Sequence, residues 1–226
     1  MKRIWHISDT HCCLDQIEIP ENIDIVIHSG DAANHHDPYK NEHEMRRFIE
    51  RYAALPIKHK LFVAGNHDGS VEKRLITRDN FQEAGIIYLE NEAVELEGFK
   101  IWGSPHTPTF GTWYFMKSRA KINRVWDNIP EDIDIIVTHG PPLGVLDITN
   151  RRGNTQEQCG DRSLLKRILE IEPRAVLFGH LHNGPDIRNS GTKQLAGCST
   201  IFSNGACSTD GKMGSLTSHG NVVSLE

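Results

Sequence analysis

Five short runs of apolar residues recur along this chain, and each is followed directly by a turn that carries histidine, aspartate or asparagine. The runs cover residues 4–7, 23–27, 61–64, 133–137 and 175–178. They are rich in β-branched residues, and continuous apolar runs of this length are typical of strands buried on both faces of a sheet. The chain therefore predicts a fold built around a buried sheet, with polar groups gathered where its strands end.

Two amphipathic helices are predicted between these strands. Residues 41–55 place apolar side chains at a spacing of three and four residues, which forms one stripe on a helix. That stripe consists of Met45, Phe48, Ile49 and Tyr52. Residues 161–171 repeat the pattern, with Asp161 as the expected N-cap. Strands that alternate with helices predict an α/β layered fold.

Further strands are predicted in residues 86–102, as a meander with turns at residues 91–92 and 97–98, and in the tail. The tail strands are expected in residues 193–208 and 222–225. Hairpin connections give antiparallel pairs, whereas strands joined through helices give parallel ones. A sheet that mixes both directions is therefore expected.

Length and composition narrow the class of protein. The 226 residues contain no repeat and no Pro/Gly-rich linker, so one domain spanning residues 1–226 is predicted. No apolar run approaches the ~20 residues that cross a membrane, and no signal peptide is apparent. Five cysteines without a C-x-x-C pair are expected to be reduced thiols in a cytoplasmic protein. With a net charge of −5, nucleic acid stays open as a partner but is not favoured.

The turns after the five runs contain nine potential metal ligands or ionisable groups. In chain order they are Asp9, His11, Asp31, Asn66, His67, Asp68, His139, His180 and His182. In α/β folds, ligands bind beyond the carboxyl ends of the strands. Mixed carboxylate, amide and imidazole donors suit Mn, Fe, Co, Ni or Zn better than Ca or Mg. The donors are too many for one tetrahedral ion, and about right for two ions that share a carboxylate.

Taken singly, each motif also has a structural explanation. Asp9 and His11 could form a turn with an aspartate cap, and Gly30-Asp31 is a common turn sequence. Burying all nine polar groups without a metal would be costly, however. Their recurrence at five strand ends therefore favours a metal centre.

The same turns carry a family resemblance. The motifs are Asp9-x-His11, Gly30-Asp31, Gly65-Asn66-His67-Asp68, His139-Gly140 and Gly179-His180-x-His182. Together they resemble the five motifs of the calcineurin-like metallophosphoesterases over almost the whole chain. Sequences such as Trp102-Gly103-Ser104-Pro105 are similar to one branch, the metallophosphoesterase-domain-containing relatives of class III cyclic-nucleotide phosphodiesterases. The resemblance implies an α/β fold, a four-layer αββα sandwich with two mixed β-sheets (the metallophosphatase fold).

The resemblance also implies roles for the site residues. One divalent ion would be held by Asp9, His11 and His182, the other by Asn66, His139 and His180, with Asp31 bridging both. The two ions would be Mn, Fe, Zn, Co or Ni, and manganese is the choice for assays. His67 would be catalytic rather than a ligand, and Asp68 would orient its ring and raise its pKa.

These roles imply a metal-dependent phosphodiesterase, a hydrolase acting on ester bonds. Its expected substrate is a small phosphodiester or nucleotide, and the branch points to cyclic nucleotides, including the 2′,3′ kind. A hydroxide shared by the two ions would attack phosphorus while His67 protonates the leaving alkoxide. The alternatives are a phosphomonoesterase or a nuclease on the same site, or a non-catalytic scaffold of the same fold.

Several further residues are candidates for contacting the substrate. Arg151 and Arg152 would clamp a phosphate or else be surface charges. His35 would contact the leaving group or lie on a solvated loop, and His106 would border the pocket or be exposed. The aromatic run 113–115 would stack on a nucleobase or belong to the core.

Overall fold

The secondary structure comes from a computed structural model that describes residues 1–151, 155–209 and 212–226. Its strands are β1 (Lys2–Ile7), β2 (Ile25–His28), β3 (His59–Phe62), β4 (Ile86–Tyr88), β5 (Glu92–Leu96), β6 (Phe99–Ser104), β7 (Thr107–Pro108), β8 (Met116–Lys117), β9 (Ile135–Thr138), β10 (Ile148–Arg151), β11 (Thr155–Gln158), β12 (Ala175–Phe178), β13 (Gly191–Lys193), β14 (Ile201–Asn204), β15 (Ser208–Thr209), β16 (Lys212–Leu216) and β17 (Asn221–Leu225). Its α-helices are α1 (Pro38–Ala53), α2 (Gly69–Glu72), α3 (Arg78–Glu83), α4 (Arg119–Trp126) and α5 (Arg162–Ile171).

Two large sheets contain the five predicted apolar strands. The first has the order β17-β1-β2-β3-β4, in which β1 to β4 run parallel and β17 pairs antiparallel with β1. The second has the order β13-β14-β12-β9-β6-β5, with four parallel strands between two antiparallel edge strands. Both sheets are mixed, as predicted, and the five apolar strands lie away from the edges.

Alternation along these strands creates three apolar layers. In β2, Ile25 and Ile27 point into the layer between the two sheets, whereas Val26 points to the outer layer beneath α1. In β12, Leu177 points inward, and Phe178 points outward to the layer beneath α4 and α5. Successive strand residues face opposite sides of a sheet, so each sheet is covered on both faces. The order of layers is helix, sheet, sheet, helix, which confirms the predicted αββα sandwich.

Both predicted helices are present, α1 with a start three residues before the predicted one and α5 with the predicted cap. Helix α1 begins after Asp37, whose carboxylate accepts hydrogen bonds from the amides of residues 39 and 40. Helix α5 begins after Asp161, whose carboxylate accepts from the amide of Leu164 at 2.9 Å. Both caps satisfy amides that lack a partner within the helix. In the described part of the chain, no helix combines the length and apolar character needed to cross a membrane.

The predicted meander over residues 86–102 is wrong in its connectivity. Strand β4 lies in the first sheet, parallel to β3, whereas β5 and β6 form a hairpin in the second sheet. The turn at residues 91–92 therefore carries the chain from one sheet to the other. The alternation of apolar residues specifies a strand and its faces, but it does not specify which of two stacked sheets the strand joins.

Candidate dinuclear metal centre

The carboxyl ends of strands from both sheets meet at one edge of the sandwich. The amide of Ser8 donates to the carbonyl of Gly205 at 2.9 Å, and the amide of Gly205 donates to Phe178 at 2.8 Å, which ties β1 to β12 across the two sheets. Within the sheets, the backbone amide of Asp9 donates to the carbonyl of Gly30 at 2.8 Å, and the backbone amide of Gly179 donates to the carbonyl of His139 at 2.9 Å. These bonds bring the predicted polar turns together.

The first group of donors consists of Asp9, His11 and His182, whose ligand atoms lie within 4.8 Å of one another. His182 Nε2 lies 3.1 Å from an Asp9 oxygen. His11 Nδ1 faces the carbonyl of Ala33 at 3.3 Å, and its Nε2 is buried without a hydrogen-bond partner among the described residues. Burial lowers the pKa of His11 to about 4, although Asp31 and Asp9 oppose this shift. A neutral imidazole with a buried free nitrogen is what a metal ligand requires, so this group fits a metal ion.

The second group consists of Asp31, His139 and His180, again with ligand atoms within 4.8 Å. His139 Nδ1 lies 2.9 Å from the carbonyl of Ser29, which only accepts, so the hydrogen sits on Nδ1 and Nε2 faces the centre. Asn66 Oδ1 lies 2.9 Å from that Nε2. Asn66 therefore adds a fourth donor to this group.

The charges of the second group strongly shift the pKa values of its members. Burial lowers the pKa of His180 to about 3, and the charge of His139 adds to this shift. Burial acts in the same direction on His139, but the Asp31 carboxylate 3.3 Å away outweighs it and raises the pKa of His139 to about 9. Burial opposes ionisation of Asp31, but His139 and His67 outweigh it and hold the pKa of Asp31 well below its usual range. A cation at this position would take the place of the proton on His139.

Asp31 belongs to the second group, and its charge also acts on the first. It raises the pKa of His139 in its own group and opposes the lowering of the pKa of His11 in the other. One of its oxygens also accepts from the amide of His67 at 2.7 Å. This placement is what a carboxylate shared by two cations would need.

Asp68 does not have the role that the sequence predicted for it. One of its oxygens accepts from the amides of Ala32 and Ala33, both at 3.1 Å, and the other from Asp31 at 2.9 Å and Gly65 at 2.7 Å. Four backbone amides thus occupy the carboxylate, and it braces the Asp31 loop against the Gly65 turn. Burial, followed by the charge of Asp31, raises the pKa of Asp68 to about 7.

The His67 ring is oriented by other groups. Its Nδ1 lies 3.2 Å from the carbonyl of Asn34, and its face packs on Trp113 with ring centroids 4.1 Å apart. Its edge meets the His11 ring at 4.8 Å, so it stands beside the first donor group. The side-chain amide of Asn41, on α1, donates to the backbone carbonyl of His67 at 2.7 Å and thereby ties the loop that carries His67 to the helix. Asn34 and Asn41 could not be predicted from the sequence, because an asparagine in a loop or a helix carries no signal of a partner distant in sequence.

The predicted substrate contacts have different outcomes. His106 is only 8% exposed, so the exposed alternative is wrong, and its ring lies between the carbonyl of Phe115 at 3.1 Å and the side-chain amide of Asn91 at 3.3 Å. Its position at the border of the pocket stays a prediction. His35 is exposed on the loop after Asp31, next to the Asn34 carbonyl that holds His67. A contact between His35 and the leaving group stays a prediction.

The structure does not test the predicted phosphate contacts of Arg151 and Arg152. Arg151 ends β10, but its side chain lies outside what the structure describes, as does the whole of Arg152. Of the aromatic run, Tyr114 and Phe115 belong to the outer core of the first sheet. Trp113 instead packs on His67 at the site.

Comparison with known proteins places this arrangement in a family. The sequence profile of the calcineurin-like phosphoesterases matches residues 2–184. The human and mouse proteins named metallophosphoesterase domain-containing protein 1 are each 32% identical over 222 residues, which covers 88% of this chain and 66% of theirs. The chain thus spans just under two thirds of their length.

Two further matches are more distant, and the second shows similarity of fold alone. The DNA double-strand break repair protein Mre11 of Saccharolobus solfataricus is 30% identical over 48% of this chain and 34% of its own length. One solved crystal structure is similar in fold, with a TM-score of 0.57 at 15% identity over 90% of both chains. The chain belongs to the calcineurin-like phosphoesterase family, whose members hydrolyse phosphoesters and typically depend on two metal ions.

Proposed function

We propose that this centre binds two divalent metal ions and hydrolyses small phosphodiesters. The observation that carries the proposal is the pair of adjacent donor groups, one contributed by Asp9, His11 and His182 and the other by Asp31, His139 and His180. Asn66 completes the second group, and Asp31 is the carboxylate that both ions would share. The nitrogen and oxygen donors suit Mn, Fe, Zn, Co or Ni, and manganese is the ion to supply in assays.

The bound ions would supply an activated water and would neutralise charge that builds on the phosphoryl oxygens. The chain's own residues supply the rest. Because a carbonyl only accepts hydrogen bonds, the contact with Asn34 keeps a hydrogen on Nδ1 of His67. The exchangeable proton is then at Nε2, where it can pass to the leaving oxygen. Alkyl esters, whose alkoxide leaves poorly, need this proton more than aryl esters do.

The preference for a diester comes from the resemblance to the cyclic-nucleotide branch, and 2′,3′-cyclic nucleotides are the first natural substrates to test. We further propose that residues 1–226 act as one domain in the cytoplasm, on a small diester or nucleotide rather than on a membrane. The rivals are a phosphomonoesterase, a nuclease and a non-catalytic scaffold. The Mre11 match favours testing the nuclease, whereas a net charge of −5 argues against a nucleic-acid substrate.

The first experiment measures metal content and substrate preference together. Protein loaded with Mn²⁺ should hold about two ions per chain by elemental analysis. It should hydrolyse bis(para-nitrophenyl) phosphate and a cyclic nucleotide faster than para-nitrophenyl phosphate. Faster cleavage of the monoester, or of single-stranded oligonucleotides, would favour the corresponding rival. Well under one metal per chain would favour a scaffold.

Two variants then separate metal binding from proton transfer. Asp31→Asn should lose metal and activity together, and full occupancy with normal turnover would refute the shared carboxylate. His67→Ala should keep both metals and lose about 10²- to 10⁴-fold in rate, less on aryl esters. Loss of metal in that variant would show that His67 is a ligand. His43→Ala, on the exposed face of α1, is the matched control and should behave as the wild type.

A further inference from the structure

We infer that Phe110 forms the surface on which the planar group of a phosphodiester stacks, which makes it a specificity-determining residue of this centre. The inference rests on the proposed function. It starts from a single loop, residues 109–115, that joins β7 to β8 and reaches the centre at two points.

This loop is fixed in place. At its base the amide of Thr107 donates to Phe115 at 3.1 Å, and that of Thr109 donates to Lys117 at 3.0 Å. In its middle, His36 Nε2 lies 3.1 Å from the carbonyl of Thr112. The hydroxyl of Tyr114 donates back to the carbonyl of His36 at 2.8 Å. Side chains on a loop tied at both ends and in the middle keep a defined position, so little ordering is needed when a substrate binds.

The loop brings two aromatic rings to different residues of the centre. Trp113 lies on His67, with ring centroids 4.1 Å apart and the rings tilted by 32°. Phe110 lies beside His180, with centroids 5.0 Å apart and the rings tilted by 48°. His67 is the proposed proton donor and His180 a proposed metal ligand, so the two rings lie beside different parts of the centre.

Phe110 is the more exposed of these two rings. Trp113 is half-buried and already packs on both His67 and the ring of His36. Phe110 is 54% exposed although it touches a residue of the centre. A single exposed aromatic ring on a protein surface has no special meaning. Phe110, in contrast, is held on a fixed loop against a proposed metal ligand, and this position would let its ring contact a bound substrate.

The chemistry of the ester decides what this ring would recognise. Aromatic rings pair favourably at centroid separations of about 4.5–7 Å, through stacked or edge-on contacts that an alkyl group cannot reproduce. An ester substituent that leaves the centre past His180 meets the open face of Phe110. A nucleobase or an aryl group would gain from this contact, and a small alkyl group would gain little.

The test compares two inhibitors that cannot be hydrolysed, phenylphosphonate and methylphosphonate, titrated into Mn²⁺-loaded protein by calorimetry. They share the phosphonate and differ in the ring. We expect Phe110→Ala to weaken phenylphosphonate about 5- to 20-fold and to leave methylphosphonate within about twofold. Phe110→Trp should keep the preference, and Phe110→Leu should lose most of it. Tyr39→Ala, an exposed aromatic on the first turn of α1, is the control and should change neither affinity.

Two outcomes would overturn the inference. An unchanged ratio of the two affinities in Phe110→Ala would show that the ring does not meet the substrate. An equal loss for both inhibitors would show that Phe110 acts on the metal centre itself. These failures differ from a failure of the proposed function, in which wild-type protein binds neither phosphonate and hydrolyses no phosphodiester. In that case the inference falls with the function on which it rests.

Discussion

Gly65→Ala tests how tightly the centre is packed, because the added methyl group has no room. A Cβ at residue 65 would lie 2.3 Å from Asp31 Oδ1, 2.6 Å from the Asp31 amide and 2.7 Å from the His139 ring. Asp31 cannot retreat freely, since its amide donates to Asp68 at 2.9 Å. Overpacking of a core costs about 1–3 kcal/mol, and disturbing a hydrogen bond to a charged group costs about 1.5–3 kcal/mol more. At about 2–4 °C per kcal/mol for a chain of this size, Tm should fall by roughly 5–24 °C.

Thermal unfolding and elemental analysis of the same samples measure both consequences. Gly65→Ala should also lose metal from the group that contains Asp31 and His139, and with it the rise in Tm on addition of Mn²⁺. The matched control is Gly111→Ala, where the new Cβ would meet its nearest neighbour, Trp113 Cδ1, at an ordinary 3.4 Å. A Gly65→Ala protein with wild-type Tm and full metal content would show that the Asp31 loop is not held against residue 65.

Three other changes have expected outcomes. Chelation should lower Tm and excess Mn²⁺ should restore it, because an ion that binds only the folded state adds about 2.7 kcal/mol at 100 times its Kd. Asp161→Ala should destabilise by about 2–4 kcal/mol in denaturant titrations, since it removes the cap on Leu164 and the partner of the buried Trp126 Nε1, whereas Asp37→Ala on α1 should cost about 1 kcal/mol. Hydrogen bonds from Lys2, then from His59 and Lys58, lower the pKa of Glu97 from 4.5 to about 2. The stabilising effect of these contacts is present above pH 4.5 and is lost as pH falls towards 2, so Glu97→Gln should flatten the fall in Tm over that window.

The parts of the fold that sequence predicts well are those set by local pattern. The run 175–178 coincides with β12, and the cap at Asp161 lies where the pattern of α5 begins. The polar residues after the apolar strands converge because parallel strands end at a common edge. That geometric rule, more than any single motif, is why the donors could be predicted from the sequence.

Long-range partners could not be predicted in this way. Asp68 follows His67 directly, so the sequence favours a contact between them, yet its carboxylate faces amides on a different loop. By its sequence, His106 could border a pocket or be exposed, but its ring is buried against Asn91 and Phe115, which are 15 and 9 residues away along the chain. Phe110 lies in a segment that resembles one branch of the family, but no function could be predicted for it, since that depends on the path of its loop past His180. Each case depends on which loops come together, and apolar periodicity does not contain that information.

Backbone strain at the centre links the fold to its proposed function. Asp9, His11, Asp31 and His180 all have positive φ, between 40° and 69°. For residues other than glycine this region costs roughly 1–2 kcal/mol each, and a glycine there would provide no ligand. The turns are held in this conformation by the four hydrogen bonds that backbone amides donate to the Asp68 carboxylate. The hydrogen bond from the His180 amide to the Asp9 carboxylate, at 2.9 Å, adds to them. The chain therefore gives up stability at the strand ends to point side chains back over the edge of the sandwich, an arrangement that packing alone does not require and that ligation of metal ions explains.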